Sequence, residues 1–204
     1  MNLSRRLFGP SKKEMWRLLS EQVHGKFVEG GAFKGEKVLV EHGEWTLTLD
    51  TYAVSTGKVT MVFTRMRAPY VNPSAFRFTV YRKGVMSGIG KFFGMQDVEV
   101  GDPSFDEEFI VKSSDESRVR QLLSSAKIRE LLAKQKDVQF SVKDDEGWFG
   151  TKFPDGVDEL HFSVIGIVKD VDRLKLLFEL FSETLDELCR MGAAVNNPPN
   201  VELK

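Results

Sequence analysis

One cysteine, Cys189, among 204 residues leaves no internal disulfide to be made, and a reducing cytoplasm is the natural setting for such a chain. Three histidines, His24, His42 and His161, stand far apart, and none falls in an H-E-x-x-H or H-x-E pattern. Without those pairs, and without thiols beside them, zinc has no recognisable ligand set. No window approaches the roughly 18 apolar residues of a membrane span, so any membrane would be met from its surface. The opening MNLSRRLFGPSKKEMW holds two arginines but no apolar run of secretory-signal length. Net charge is scarce as well. With 29 basic and 30 acidic side chains the balance is −1, which excludes a strong whole-molecule field and argues against a nucleic-acid partner.

What remains is an ordinary globular composition, 41% apolar and 29% charged, enough for a core and a solvated surface. The length suits one domain. We expect a loose arm over 1–10 and a single domain over 11–192, with 11–96 and 97–192 as alternative halves. A disordered tail over 193–204 would follow, since Asn196-Asn197-Pro198-Pro199 comes soon after Gly192. Charge is uneven along the chain. Arg5, Arg6, Lys12 and Lys13 face no acid in the first 13 residues, Arg82, Lys83 and Lys91 lie in another acid-free run, and Asp144, Asp145, Glu146, Asp155, Asp158 and Glu159 make a late acidic region.

Local patterning gives the elements. Ser11 with Glu14 forms a capping box for a helix whose stripe is Met15, Leu18, Leu19, Gln22 and Val23, ended by Gly25. From Phe27 to Tyr81 the chain alternates as antiparallel β, broken at His42-Gly43 and Ser55-Thr56-Gly57-Lys58. Ala68 to Pro73 reads as a connection, because neither proline can donate to a ladder. Beyond residue 96, Asp97–Val100 and Phe105–Val111 alternate on either side of a Gly101-Asp102-Pro103-Ser104 turn, and Ser113 with Glu116 caps a helix. Ala126–Lys134 makes a second helix, Val138–Val142 a strand, and Leu160–Val168 the most apolar strand, placed centrally. Asp170 caps the last helix, Val171–Met191. The fold class is therefore α+β: an antiparallel β-rich first half, a second half β-αα-β-(β)-β-α with its own smaller sheet, and terminal helices packed on sheet faces.

The stretch Gly94-Met95-Gln96-Asp97, Gly101-Asp102-Pro103, Phe105-Asp106, Phe109, Lys112, Val119-Arg120 and Leu122-Leu123 resembles a family of uncharacterised bacterial domains. Those domains share G-M-Q-D-(V/I)-E-(V/I)-G-D-P-x-F-D, then F-x-(V/I)-K and V-R-x-L. The similarity covers about the middle third of the chain. It implies kinship and a bacterial setting, and it assigns no activity, cofactor or site residue.

Residues 82–96, RKGVMSGIGKFFGMQ, are the most unusual in composition: four glycines, three cations, two adjacent phenylalanines and two methionines. Gly88 to Gly94 has one residue too many for a dinucleotide fingerprint. Gly90-Lys91 is followed by Phe92 where a phosphate loop needs Ser or Thr. Two readings stay open: Phe92 and Phe93 tucked into the core, or an exposed loop offering aromatics and cations to a groove or an anionic bilayer. Elsewhere the structural reading of each residue stands beside the chemical one. The acidic residues suit solvated turns better than a calcium loop. His161 suits a hydrogen-bonded core position, Cys189 a buried thiol. Asp102 and Asp106 suit a turn, paired with Lys112 or Arg120.

The expectation is a non-catalytic binding module, cytoplasmic or peripheral at a membrane, with no cofactor and no catalytic or metal residues. Its contact would be Arg82, Lys83, Lys91, Phe92 and Phe93, and its partner a protein or an anionic membrane surface. The alternative is an enzyme or small-ligand protein with a pocket between two sheets, using His161 with Asp102 or Asp106. Homodimerisation through a sheet edge is a third.

Overall fold

The structure, a computed structural model, describes residues 9–31, 35–55, 57–84, 95–145 and 151–203. Helix α1, Lys12–Gln22, begins with the expected capping box: Ser11 Oγ accepts the Glu14 N–H, and Glu14 accepts the Ser11 N–H at 2.9 Å. Its inward stripe differs from the expected one. Trp16, Leu19 and Ser20 are buried, while Leu18 and Gln22 are exposed. The indole sets this rotation, because Trp16 Nε1 donates to the Val168 carbonyl at 2.9 Å and a buried N–H needs such a partner. Gly25 then lets the chain pass close to the backbone of residue 39, where a Cβ would lie 2.6 Å from the Leu39 carbonyl oxygen.

Four antiparallel strands follow in sequence order: β1 Lys26–Val28, β2 Lys37–His42, β3 Trp45–Ser55 and β4 Thr60–Val71. β4 runs through Pro69, where a connection was expected. Pairing with β3 stops at Arg67, and the neighbouring Asn72 N–H points towards the other side, to Gly156. By alternation Pro69 faces the side that β3 has left, so its missing N–H breaks no ladder bond.

Strand β5, Phe78–Arg82, and the short β6, Gln96–Val98, come next. Residues 103–108 are a helix, α2, and only Phe109–Ser113 forms strand β7. Asp102 accepts the Phe105 N–H as N-cap, and Pro103 opens the helix with the φ it already holds. Phe105 and Phe109 still share a buried site, ring centroids 4.4 Å apart, because they stand one helical turn apart rather than on one strand face. Asp115, not Ser113, caps α3, Glu116–Leu123; the Ser113 hydroxyl closes the turn before it by donating to the Asp115 carbonyl at 2.8 Å. Helix α4, Ala126–Ala133, buries Ile128, Leu131 and Leu132 as expected. Strands β8, Gln139–Lys143, and β9, Val157–Ile165, lead to the long helix α5, Val171–Arg190, capped by Asp170.

The described strands form one sheet rather than two, in the order β1-β2-β3-β4-β9-β8-β5-β7-β6, every pair antiparallel. A division at residue 96 cuts across it, since β5 pairs with β7 and β8. The fold is α+β. Helices α1, α3 and α4 contact α5 and make one layer, with the core between that layer and one face of the sheet. Phe181 of α5 stands edge-on to Phe140 of β8 at 5.5 Å in its centre. Residues 193–203, expected as a disordered tail, follow a set path. Ala193 and Ala194 are buried, Val195 bridges Val71, and the chain rounds the sheet to its other face, where the Lys37 ammonium reaches the Leu203 carbonyl.

Candidate functional site

Strand alternation sends Leu160, Phe162 and Val164 of β9 to the helices and Glu159, His161 and Ser163 to the opposite face. Register then builds a polar rank across that face. Thr79 of β5 lies opposite Ser141 of β8, Ser141 opposite His161, His161 opposite Arg67 of β4, and Arg67 opposite Thr48 of β3. The next rank holds Gln139, Ser163, Arg65 and Asp50. All these residues but Gln139 and Arg65 are buried.

Burying charge requires partners. The Asp50 carboxylate takes a two-pronged bond from Arg65 at 2.8 and 2.9 Å, and a further one from Arg67 at 2.5 Å. Lys143 Nζ lies 3.1 Å from His161 Nε2. An ammonium only donates, so Nε2 is the acceptor and the ring proton sits on Nδ1. Burial, with Lys143, Arg65 and Arg67 around it, holds the imidazole well below its usual pKa and keeps it neutral. His161 Nδ1, Ser141 Oγ and Thr79 Oγ1 are buried without hydrogen-bond partners among the described residues.

A serine beside a histidine invites comparison with nucleophilic catalysis. There a carboxylate orients the base and stabilises the imidazolium that forms. Here the imidazole is oriented by a cation, which opposes that charge, and Ser141 Oγ makes no bond to the ring. The arrangement locks a polar layer between strands. The sequence showed Glu159, His161 and Ser163 alternating inside an apolar strand, a visible signal; their neighbours come from strands distant in sequence and were not legible.

The remaining candidates have structural employment. Asp102 pairs with Arg129 at 3.0 Å, and Asp106 accepts the Val100 and Gly101 N–H groups at 2.9 Å each, so neither meets His161. Lys112 pairs with Asp97 and Arg120 with Glu116. Arg77 bridges Asp144 and Asp158 at the end of the sheet, and burial pushes the Asp158 carboxyl above its usual pKa. Cys189 is half-buried with its thiol pushed up by burial. Among the described residues no three His, Cys, Asp or Glu side chains are grouped to hold a metal.

Of the expected contact residues, Arg82 ends β5. It pairs with Glu108, donates to the Ala133 carbonyl at 3.0 Å and lies over the Phe109 ring. Lys83 Nζ donates to the Asp106 carbonyl at 2.9 Å. Lys91, Phe92 and Phe93 lie outside the described residues. On the same face as the polar rank, whose Thr48 lines it, β1–β4 and the tail enclose a cleft of about 880 Å³ lined also by Val28, Leu39, Pro69, Pro198 and Val201 among others.

No protein-family model matches the chain, and no curated protein matches it. Among solved structures it is similar to the crystal structure of the mycobacterial trehalose monomycolate transport factor A, TtfA. The TM-score is 0.54 at 6% sequence identity, over 87% of this chain and 94% of that one. That likeness concerns the fold. No helix among the described residues is long and apolar enough to cross a membrane.

Proposed function

We propose that the protein is a non-catalytic binding module whose contact is the 82–96 segment, meeting a partner protein or an anionic membrane surface. The observation that carries this reading is the anchoring of the segment's base. Arg82 and Lys83 are tied to α2, β7 and the end of α4, which fixes the point at which the segment leaves β5. The cation beside His161 supports a binding role over catalysis, and the fold shared with a protein named as a transport factor is in keeping with it. The sequence resemblance to uncharacterised bacterial domains is part of the same proposal and adds kinship alone. The test is sedimentation with neutral and anionic vesicles, alongside a pull-down, for wild type and a Phe92→Ser, Phe93→Ser variant. Loss of binding in the variant supports the reading, and unchanged binding overturns it.

A second reading, a small-ligand protein, is favoured by the cleft of about 880 Å³, whose size suits a ligand. It lies between the sheet and the C-terminal tail rather than between two sheets. A ligand screen by thermal shift, repeated on a chain ending at Asn197, tests it: hits that the shortened chain loses would place the ligand there.

A further inference from the structure

Large apolar side chains left in solvent are informative when they gather. Among the described residues six stand exposed, and five of them, Val54, Val59, Val62, Ile165 and Ile167, lie at one end of the sheet. Their exposure runs from 36% at Val62 to 60% at Val59. The reason is an overhang. β2 pairs with β3 only as far as Leu49, and β9 pairs with β4 only from Phe63 onwards. The Val62 carbonyl still accepts the Gly166 N–H at 2.7 Å, and beyond it the pairs Val54–Met61 and Ser55–Thr60 extend past both neighbours, by about 7 Å at the usual rise per residue.

Alternation puts Val54 on the side of the stacked Tyr52 and Phe63 rings, with Ile165 beside Phe63. Val62 points to the other side, and Val59 lies at the turn. A ribbon with exposed apolar side chains on both sides and at its tip fits an apolar medium that surrounds it. Charge selects the medium further. Within the hairpin, from residue 51 to 71, the chain has no Asp or Glu. Lys58 is exposed at the turn and Lys169 two residues after Ile167.

We propose that the tip of the β3–β4 hairpin, with Ile165 and Ile167, is a membrane-inserting element that docks the protein on an anionic lipid surface. The overhang matches the depth of about 5–10 Å at which interfacial elements sit, and the lysines would remain among the headgroups. The open strand edges near the tip can bond there to headgroups and water, which the hydrocarbon core would not allow. The inference deepens the membrane arm of the function proposed above and gives it a contact distinct from residues 82–96.

The experiment is co-sedimentation with phosphatidylcholine vesicles with and without phosphatidylglycerol. The proteins are wild type, Val59→Asp, Val54→Ser with Val59→Ser, Lys58→Glu with Lys169→Glu, and Phe92→Ser with Phe93→Ser. Wild type should bind only the anionic vesicles, and each hairpin variant should bind about tenfold more weakly. The fluorescence gained in Val59→Trp should shift to the blue and be quenched by brominated lipid, a readout that misfolding would not produce. Full binding by the hairpin variants, with loss in the Phe92→Ser, Phe93→Ser protein, would overturn this inference and support the earlier reading. Absence of wild-type binding to either vesicle would overturn it and leave that reading its protein partner. A wild-type dimer that Val59→Asp converts to monomer would overturn it in favour of a second copy on the ribbon.

Discussion

Lys143 Nζ approaches His161 Nε2 to 3.1 Å across neighbouring strands, so a cation occupies the place where a proton-transfer histidine has a carboxylate. The imidazole is buried, neutral and held well below its usual pKa. As pH falls, the unfolded chain binds this proton before the folded one does. Stability is therefore kept above the unfolded value of about 6.5 and lost below it, at about 1.4 kcal/mol per pH unit. Denaturant midpoints between about pH 5 and 6.5 should show this slope, and His161→Gln should flatten it. The same slope in both proteins would assign it elsewhere.

Asp50 faces two guanidiniums, one of them fully buried. Asp50→Ala leaves Arg67 charged and enclosed without that carboxylate, a loss of about 3–5 kcal/mol. Urea unfolding measures it. A change below about 1 kcal/mol would mean that Arg67 relaxes to water.

Thr79 Oγ1 is buried and has no hydrogen-bond partner among the described residues. Thr79→Val keeps the shape, removes the hydroxyl and suits a strand. We expect it to stabilise the protein by about 1 kcal/mol. A loss of similar size would show the hydroxyl bonded in solution.

Phe181 is fully buried and meets the Phe140 ring edge-on. Phe181→Ala should cost about 3–5 kcal/mol, seen as a fall in melting temperature with the far-ultraviolet spectrum retained.

Much of this fold was legible because its signals are local. Ser11 with Glu14 and Asp170 each cap their own helix within three residues, so sequence spacing suffices. Strand 105–111 failed because the alternation of Phe105, Phe109 and Val111 competed with a shorter and stronger signal, Asp102-Pro103 at a helix start. Pro69 failed for another reason: which edge of β4 lacks a partner is decided by where β3 stops pairing. The polar rank depends on register between strands as distant as β5 and β9. Residue types on each strand were visible, and their alignment was not. The hairpin tip was legible as a turn, but its exposure depends on where its neighbours end.

The strand order carries a consequence for synthesis. β1–β4 and β5–β8 are adjacent blocks in sequence, yet in the sheet they touch only through β9, which emerges after both. Until residues 157–165 leave the ribosome, β4 and β8 each present an open edge on the side that β9 will fill. Such edges are templates for pairing with other chains. A chain broken off before Val157 would therefore lack the one strand that joins its blocks, and its natural fate is aggregation rather than a smaller folded protein.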